Sequence, residues 1–156
     1  MVKEFLEKWW KYKDGMETYF REKGNISEIS YHGIVIALVK NVLNRGVKWC
    51  KLSEEVCLID DGDYEGTQIF FLHNDACTPE IKDYFYTHNY YGSCSGCDTL
   101  LSIVEGSNGK ATDEQVKLLM RLAFDLLRNI KPMAADAQYD YEGIHLTEWE
   151  GDYESE

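Results

Sequence analysis

The sequence lacks several features that would place it in a well-known class of protein. It has no run of about 18 apolar residues, and its first residues lack the basic head and apolar core of a secretory signal. It holds only two prolines and four scattered histidines. Neither a nucleophile elbow nor a phosphate-binding loop is present, which disfavours the common hydrolase and nucleotide-binding classes. We therefore expect a cytoplasmic protein without a membrane anchor, one that is not an enzyme.

Basic residues are also scarce, and none occurs near the end of the chain. Sixteen lysines and arginines stand against 28 acids, the net charge is −12, and no base follows Lys131. A second stretch, from Glu54 to Glu65, holds six acids and no base. Because nucleic-acid affinity comes chiefly from Lys and Arg at the phosphates, direct binding to nucleic acid is disfavoured.

The charge pattern favours a basic protein as the partner. The alternative is that the acids serve only to keep the protein in solution. We place the predicted partner-binding surface on the two acidic stretches, at Glu54, Glu55, Asp60, Glu65, Asp136, Asp140 and Glu142. The pattern does not indicate an oligomeric state.

Apolar residues are plentiful enough for one core. The chain of 156 residues is 44% apolar and 13% aromatic. This composition and length suit a single α+β domain over residues 1–135, followed by an acidic C-terminal extension over residues 136–156.

Helical periodicity appears at both ends of the predicted domain. It predicts a first helix that reaches about Lys23 and a second, buried helix with its apolar interior at residues 34–43. A short helix is predicted to start near Asp98. A long helix is predicted to begin at the capping box of residues 112–115 and to end before Pro132.

The middle of the chain has the pattern of β-strands. Residues 56–59 and 67–72 predict a hairpin with an acidic tip, and the aromatic run Tyr84–Tyr91 predicts a third strand. One further short strand is predicted at residues 139–144. The fold expected from the sequence is thus α+β, a small three-stranded antiparallel sheet flanked by about four helices.

The five cysteines are an odd number, which in a reducing compartment favours thiols or metal ligands over a disulfide framework. Cys50 and Cys57 are predicted as thiols in or near the core. The most specific chemical feature is the knuckle Cys94-Ser95-Gly96-Cys97, directly after the third strand. Two cysteines at this spacing can place both sulfurs on one zinc ion.

Candidates for the other zinc ligands follow from the expected pairing of the strands. An antiparallel meander brings the knuckle beside the hairpin tip, so we predict Asp61 and Asp63 as the remaining ligands. His73 and Cys77 are the alternative pair, although they belong to the opposite end of the strands, about 27 Å away.

Two readings of the knuckle without zinc stay open. Cys94 and Cys97 could be free thiols at a tight turn. They could also be the redox pair of a thiol oxidoreductase, although that fold needs strands alternating with helices.

Two blocks of sequence resemble a family of small phage and prophage proteins of Gram-positive bacteria. The blocks are Asp63-Tyr64-Glu65-Gly66-Thr67 and Tyr91-Gly92-Ser93-Cys94-Ser95-Gly96-Cys97-Asp98-Thr99-Leu100, and together they cover about a tenth of the chain. Glu65 stands where those proteins usually have Gln.

The resemblance implies phage origin and, within that setting, a type II anti-CRISPR that binds Cas9 and blocks DNA loading. Such a role is compatible with the acidic charge, since Cas9 holds nucleic acid in positively charged channels. The alternatives are a zinc-stabilised accessory or structural protein of a phage and, from the enzyme class, the thiol oxidoreductase.

Overall fold

The computed structural model describes residues 2–75 and 78–134. Its α-helices are α1 (Val2–Glu22), α2 (Tyr31–Leu38), α3 (Thr99–Val104) and α4 (Asp113–Arg128). Its strands are β1 (Cys57–Asp60), β2 (Gly66–His73), β3 (Tyr84–Tyr91) and β4 (Lys131–Pro132). The α+β class is confirmed, while the predicted acidic extension and the strand at residues 139–144 lie outside the described residues.

The helical layer follows the apolar periodicity of the sequence. The face that α1 buries includes Phe5, Trp9, Met16 and Phe20. The Ser30 side chain caps α2 by accepting a hydrogen bond from the Gly33 N–H. The chain then continues into a π-helical turn, Val39–Leu43. Most residues of α2 and of this turn are buried, so the predicted second helix is central and buried.

Helix α4 begins at the predicted capping box. The Thr112 hydroxyl accepts from the Gln115 N–H, and the Gln115 side chain accepts from the Thr112 N–H. The apolar face of α4 packs against α1, α2 and α3, which joins the helices into one core. No helix in the described part of the chain is long and apolar enough to cross a bilayer.

The sheet is an antiparallel meander in the order β1-β2-β3-β4. Phe70, Leu72 and Phe85 are buried in the core that the sheet shares with the helices. The buried Thr87 hydroxyl donates to the Leu126 carbonyl at 2.9 Å and thereby ties β3 to α4.

The predicted number of strands was wrong by one. β4 pairs with the start of β3, Phe85 with Pro132 and Tyr86 with Lys131. A strand of two residues shows no alternation of polar and apolar residues. Pro132 predicted only the end of a helix, yet proline is tolerated on an edge strand.

The prediction for two of the cysteines was also wrong, because Cys50 and Cys57 are both exposed. Cys57 opens β1, an edge strand on which successive side chains face opposite sides. Cys50 follows the exposed Trp49 in an irregular segment and has a positive φ of 58°.

Candidate functional site

The turn between β1 and β2 carries a cluster of acids that we call the acidic tip: Asp60, Asp61, Asp63 and Glu65. Backbone donors bind the first two carboxylates, since the Gly62 N–H donates to Asp60 at 3.0 Å and the Thr67 N–H to Asp61 at 2.6 Å. A Cβ on Gly62 would collide with the Glu65 carbonyl, so the turn requires glycine there. The local sequence therefore holds the acids in a compact turn.

Tyrosines at the end of β3 hold the same acids from the neighbouring strand. The Tyr91 hydroxyl donates to Asp60 at 2.7 Å, and the Tyr90 hydroxyl donates to Glu65 at 3.2 Å. The Gln68 amide adds a bond to Asp60 at 3.0 Å. The bond from Tyr91 is the main cause that lowers the pKa of Asp60, and the same bond raises the pKa of Tyr91 to about 12.

The acidic tip is exposed, and no lysine or arginine of the described residues forms a salt bridge with it. All six acids between residues 54 and 65 are exposed, including the predicted partner-binding residues Glu54, Glu55, Asp60 and Glu65. Within the described ranges, the salt bridges join other acids, on α1, on α4 and at Glu80. The predicted Asp136, Asp140 and Glu142 lie outside the described residues.

Exposed apolar side chains accompany these acids. Tyr64 is 84% exposed, Tyr90 56% and Ile59 50%. Aromatic residues within a polar rim are characteristic of protein interfaces.

The cysteine knuckle follows β3 and forms a tight turn. The Cys97 N–H donates to the Cys94 carbonyl at 3.0 Å, and the two sulfur atoms lie 2.9 Å apart on the surface. Hydrogen bonds from the Cys94 thiol and then from its backbone N–H lower the pKa of the Cys97 thiol. The two thiols are thus close and accessible, and the Cys97 thiol is shifted toward the thiolate.

Only part of the predicted zinc site comes together. Gly66 pairs with Tyr91, so the tip and the knuckle lie at the same end of the sheet, as expected. His73 pairs with Tyr84 at the opposite end, also as expected, and Cys77 is not among the described residues. Within residues 2–75 and 78–134, however, no three His, Cys, Asp or Glu side chains are grouped to hold one metal ion. Zinc therefore stays a prediction.

Sequence reasoning identified Asp98 only as a helix start and missed its role beneath the knuckle. Asp98 is 5% exposed. It accepts hydrogen bonds from the Tyr31 hydroxyl at 2.8 Å, from the Leu101 N–H at 3.0 Å and from the Gly92 N–H at 3.1 Å. One carboxylate thus fastens the knuckle to α2 and α3.

Gly92 lies next to this carboxylate and is buried under the knuckle. A Cβ there would stand 2.5 Å from the Cys97 carbonyl oxygen and 2.6 Å from its sulfur. Because the backbones of residues 92 and 97 approach so closely, position 92 requires glycine. Only the folded structure reveals this contact.

The tip, the knuckle and the Asp98 network all meet at one end of the sheet. This arrangement combines fixed negative charge, exposed aromatic rings and a close dithiol pair. It can attract cations, present apolar contact area and bind or exchange at sulfur. Comparisons of this chain with known protein families, with curated proteins and with solved structures find no match.

Proposed function

We propose that this protein is a non-enzymatic binding protein whose acidic tip docks on a basic protein. The observation that carries the proposal is the set of exposed carboxylates held by tyrosine and backbone donors, with no lysine or arginine paired to them in the described residues. Charges fixed before binding lose little conformational freedom on association. Their field also speeds the encounter with a positively charged partner.

The finer proposal is that the partner handles nucleic acid in a bacterial host, with Cas9 as the specific candidate. The sequence resemblance to phage proteins supports it, as does the match between an acidic tip and a positively charged nucleic-acid channel. In this role the carboxylates occupy the place of phosphates and hinder DNA loading.

Binding of the purified protein to Cas9 at rising salt, together with a DNA-loading assay, tests this proposal. Neutralising the tip as Asp61→Asn, Asp63→Asn and Glu65→Gln should weaken the complex about tenfold or more, since several complementary charges are lost at once. The matched control neutralises three exposed acids elsewhere: Glu22→Gln, Glu28→Gln and Glu114→Gln. An equal loss in both variants, or no salt-sensitive complex at all, would contradict the proposal.

The same binding experiment distinguishes the proposed Cas9 inhibitor from the alternative, an accessory or structural protein of a phage. Stable self-association, or binding to phage proteins with none to Cas9, selects that alternative.

We also propose zinc on the knuckle, with Cys94 and Cys97 as ligands and Asp61 and Asp63 completing the set. The described residues fit the ion in part, because two exposed sulfurs lie together beside the tip and one oxygen of the Asp61 carboxylate accepts no hydrogen bond from the described residues. Bound zinc would lock the tip against the turn before α3. Metal analysis of the purified protein with Cys94→Ser and Cys97→Ser tests this, and stoichiometric zinc lost in both variants is expected.

A dithiol function is the second candidate, supported by the two adjacent, exposed thiols of the knuckle and by the lowered pKa of Cys97. A small-molecule disulfide would oxidise both thiols, receive two electrons and two protons, and leave as two thiols. Insulin reduction abolished by Cys94→Ser would select this function, whereas the antiparallel meander is unlike the alternating fold of such enzymes.

A further inference from the structure

A crevice of about 440 Å³ opens beside the acidic tip, between the ends of the strands and helices α2 and α3. Its apolar wall includes Leu58, Leu101 and Val104, and Leu101 is 41% exposed. Its volume falls within the range of small-ligand pockets. The crevice can therefore hold a long side chain with an apolar stem.

The polar groups that line the crevice are rich in acceptors. The His32 Nε2 atom lies 2.8 Å from the Val56 carbonyl, and because a carbonyl only accepts, Nε2 carries the hydrogen. In the tautomer that carries its hydrogen on Nε2, the Nδ1 atom is an acceptor. The Gln68 amide nitrogen donates to Asp60, while its Oε1 is buried and has no partner among the described residues.

The two tyrosine hydroxyls in the crevice already donate within the protein. The Tyr31 hydroxyl donates to Asp98, and the Tyr91 hydroxyl donates to Asp60. The lining also contains the buried carboxylate of Asp98, and no lysine or arginine is among the lining residues that the structure describes. The acceptor without a partner in this wall is Gln68 Oε1, and the acidic tip beside the crevice favours a donor that carries positive charge.

We propose that the crevice receives the side chain of an arginine from the basic partner, with the aliphatic stem against Leu58 and Leu101 and the guanidinium toward Gln68. The inference rests on the proposed function and names the chemistry that the partner presents there. Arginine fits better than lysine because its planar group offers five donors and is more weakly hydrated. An anchor side chain in a pocket beside complementary charges is the usual form of an interface hot spot.

A titration of the ¹⁵N-labelled full chain with N-acetyl-arginine amide tests the inference by NMR. N-acetyl-citrulline amide is the matched control, since it has nearly the same shape and no charge. We expect saturable shifts of the Gln68 side-chain amide and of the Gly92 and Leu101 N–H groups with the arginine compound only. Equal shifts with both compounds, or shifts confined to the exposed acids of the tip, would overturn the inference.

A pair of variants tests the site within the same titration. Leu101→Lys places a cation at the mouth of the crevice, whereas Leu118→Lys makes the same change on α4, where Leu118 is 39% exposed. Binding of the arginine compound should weaken about tenfold or more in Leu101→Lys, because the added cation repels the guanidinium, and stay unchanged in Leu118→Lys. Equal binding by the two variants contradicts the inference.

The proposed function and the inference about the crevice can be contradicted independently of each other. If the basic partner binds through the tip but the arginine compound does not enter the crevice, the inference is wrong and the proposed function stands. If the arginine compound binds as expected while no basic partner is found, the inference about the crevice stands and the proposed function is wrong.

Discussion

Tyr91 is the residue through which the sheet orients the acidic tip. Its hydroxyl donates to Asp60 and replaces the water that an exposed carboxylate would otherwise bind. The bond favours the charged form of Asp60 and the neutral form of Tyr91, so it depends on pH at both ends of the scale.

The first prediction concerns Tyr91→Phe and pH. The pKa of Asp60 is lowered from 3.8 in the folded state, so this contribution to stability is present above pH 3.8 and is lost as pH falls through the folded pKa. The pKa of Tyr91 is raised from 10.0 to about 12, so its contribution is present below pH 10.0 and is lost as pH rises through about 12.

Thermal unfolding across the pH range should therefore show a lower Tm for Tyr91→Phe near neutral pH, and a difference that closes in acid and in strong alkali. Tyr64→Phe is the control, because Tyr64 is 84% exposed. A Tm difference that does not change with pH would count against the proposed link between Tyr91 and Asp60.

The second prediction concerns Tyr31→Phe. Tyr31 is buried, donates to Asp98 and accepts from the Leu100 N–H at 3.0 Å, so loss of its hydroxyl leaves the buried Leu100 N–H unpaired and removes one of the three donors to Asp98. We expect the free energy of unfolding to fall by about 1–3 kcal/mol. Urea denaturation measures this change, with Tyr64→Phe again as the control. A midpoint equal to that of the unchanged protein would show that the network contributes little.

At the scale of elements, the knuckle and the hairpin depend on close backbone approaches. The third prediction is that Gly92→Ala destabilises the protein by about 1–3 kcal/mol, because its Cβ would meet the Cys97 carbonyl and sulfur. Gly24→Ala is the matched control, since a Cβ there has no neighbour within 4 Å. The two variants should separate in urea midpoint and in the reaction rate of Cys97 with a thiol reagent. Equal midpoints and equal rates would exclude a tightly packed knuckle.

The secondary-structure elements show which features sequence patterns can predict. The predicted third strand, residues 84–91, is confirmed residue for residue, and the capping box at Thr112 starts α4 as predicted. Both carry local signals, aromatic enrichment and a reciprocal hydrogen-bond pair. β4 carries no such signal because it is two residues long and exists only through its pairing with Phe85 and Tyr86.

At the scale of the whole molecule, charge is the dominant property. The fourth prediction is that removal of residues 136–156, which carry eight acids and no base, changes the net charge from −12 to −4 and slows association with the basic partner. Stopped-flow measurements at low and high salt should show a slower on-rate at low salt and a reduced dependence on salt. The variant with the neutralised acidic tip provides the comparison, because its loss of affinity should also appear as a faster off-rate. An unchanged on-rate at low salt would show that the acids of this segment do not steer the encounter.

The sequence by itself determined what local chemistry controls: the helices and three strands, the exposed acidic hairpin and the position of the cysteine knuckle beside it. Tertiary structure alone decided the pairing of β4, the exposure of Cys50 and Cys57, the burial of Asp98 and the crevice at Gln68. The physical reason is that periodicity and capping act between residues close in the chain. Burial of Asp98 instead depends on Tyr31, 67 positions away, and on how the layers pack around it.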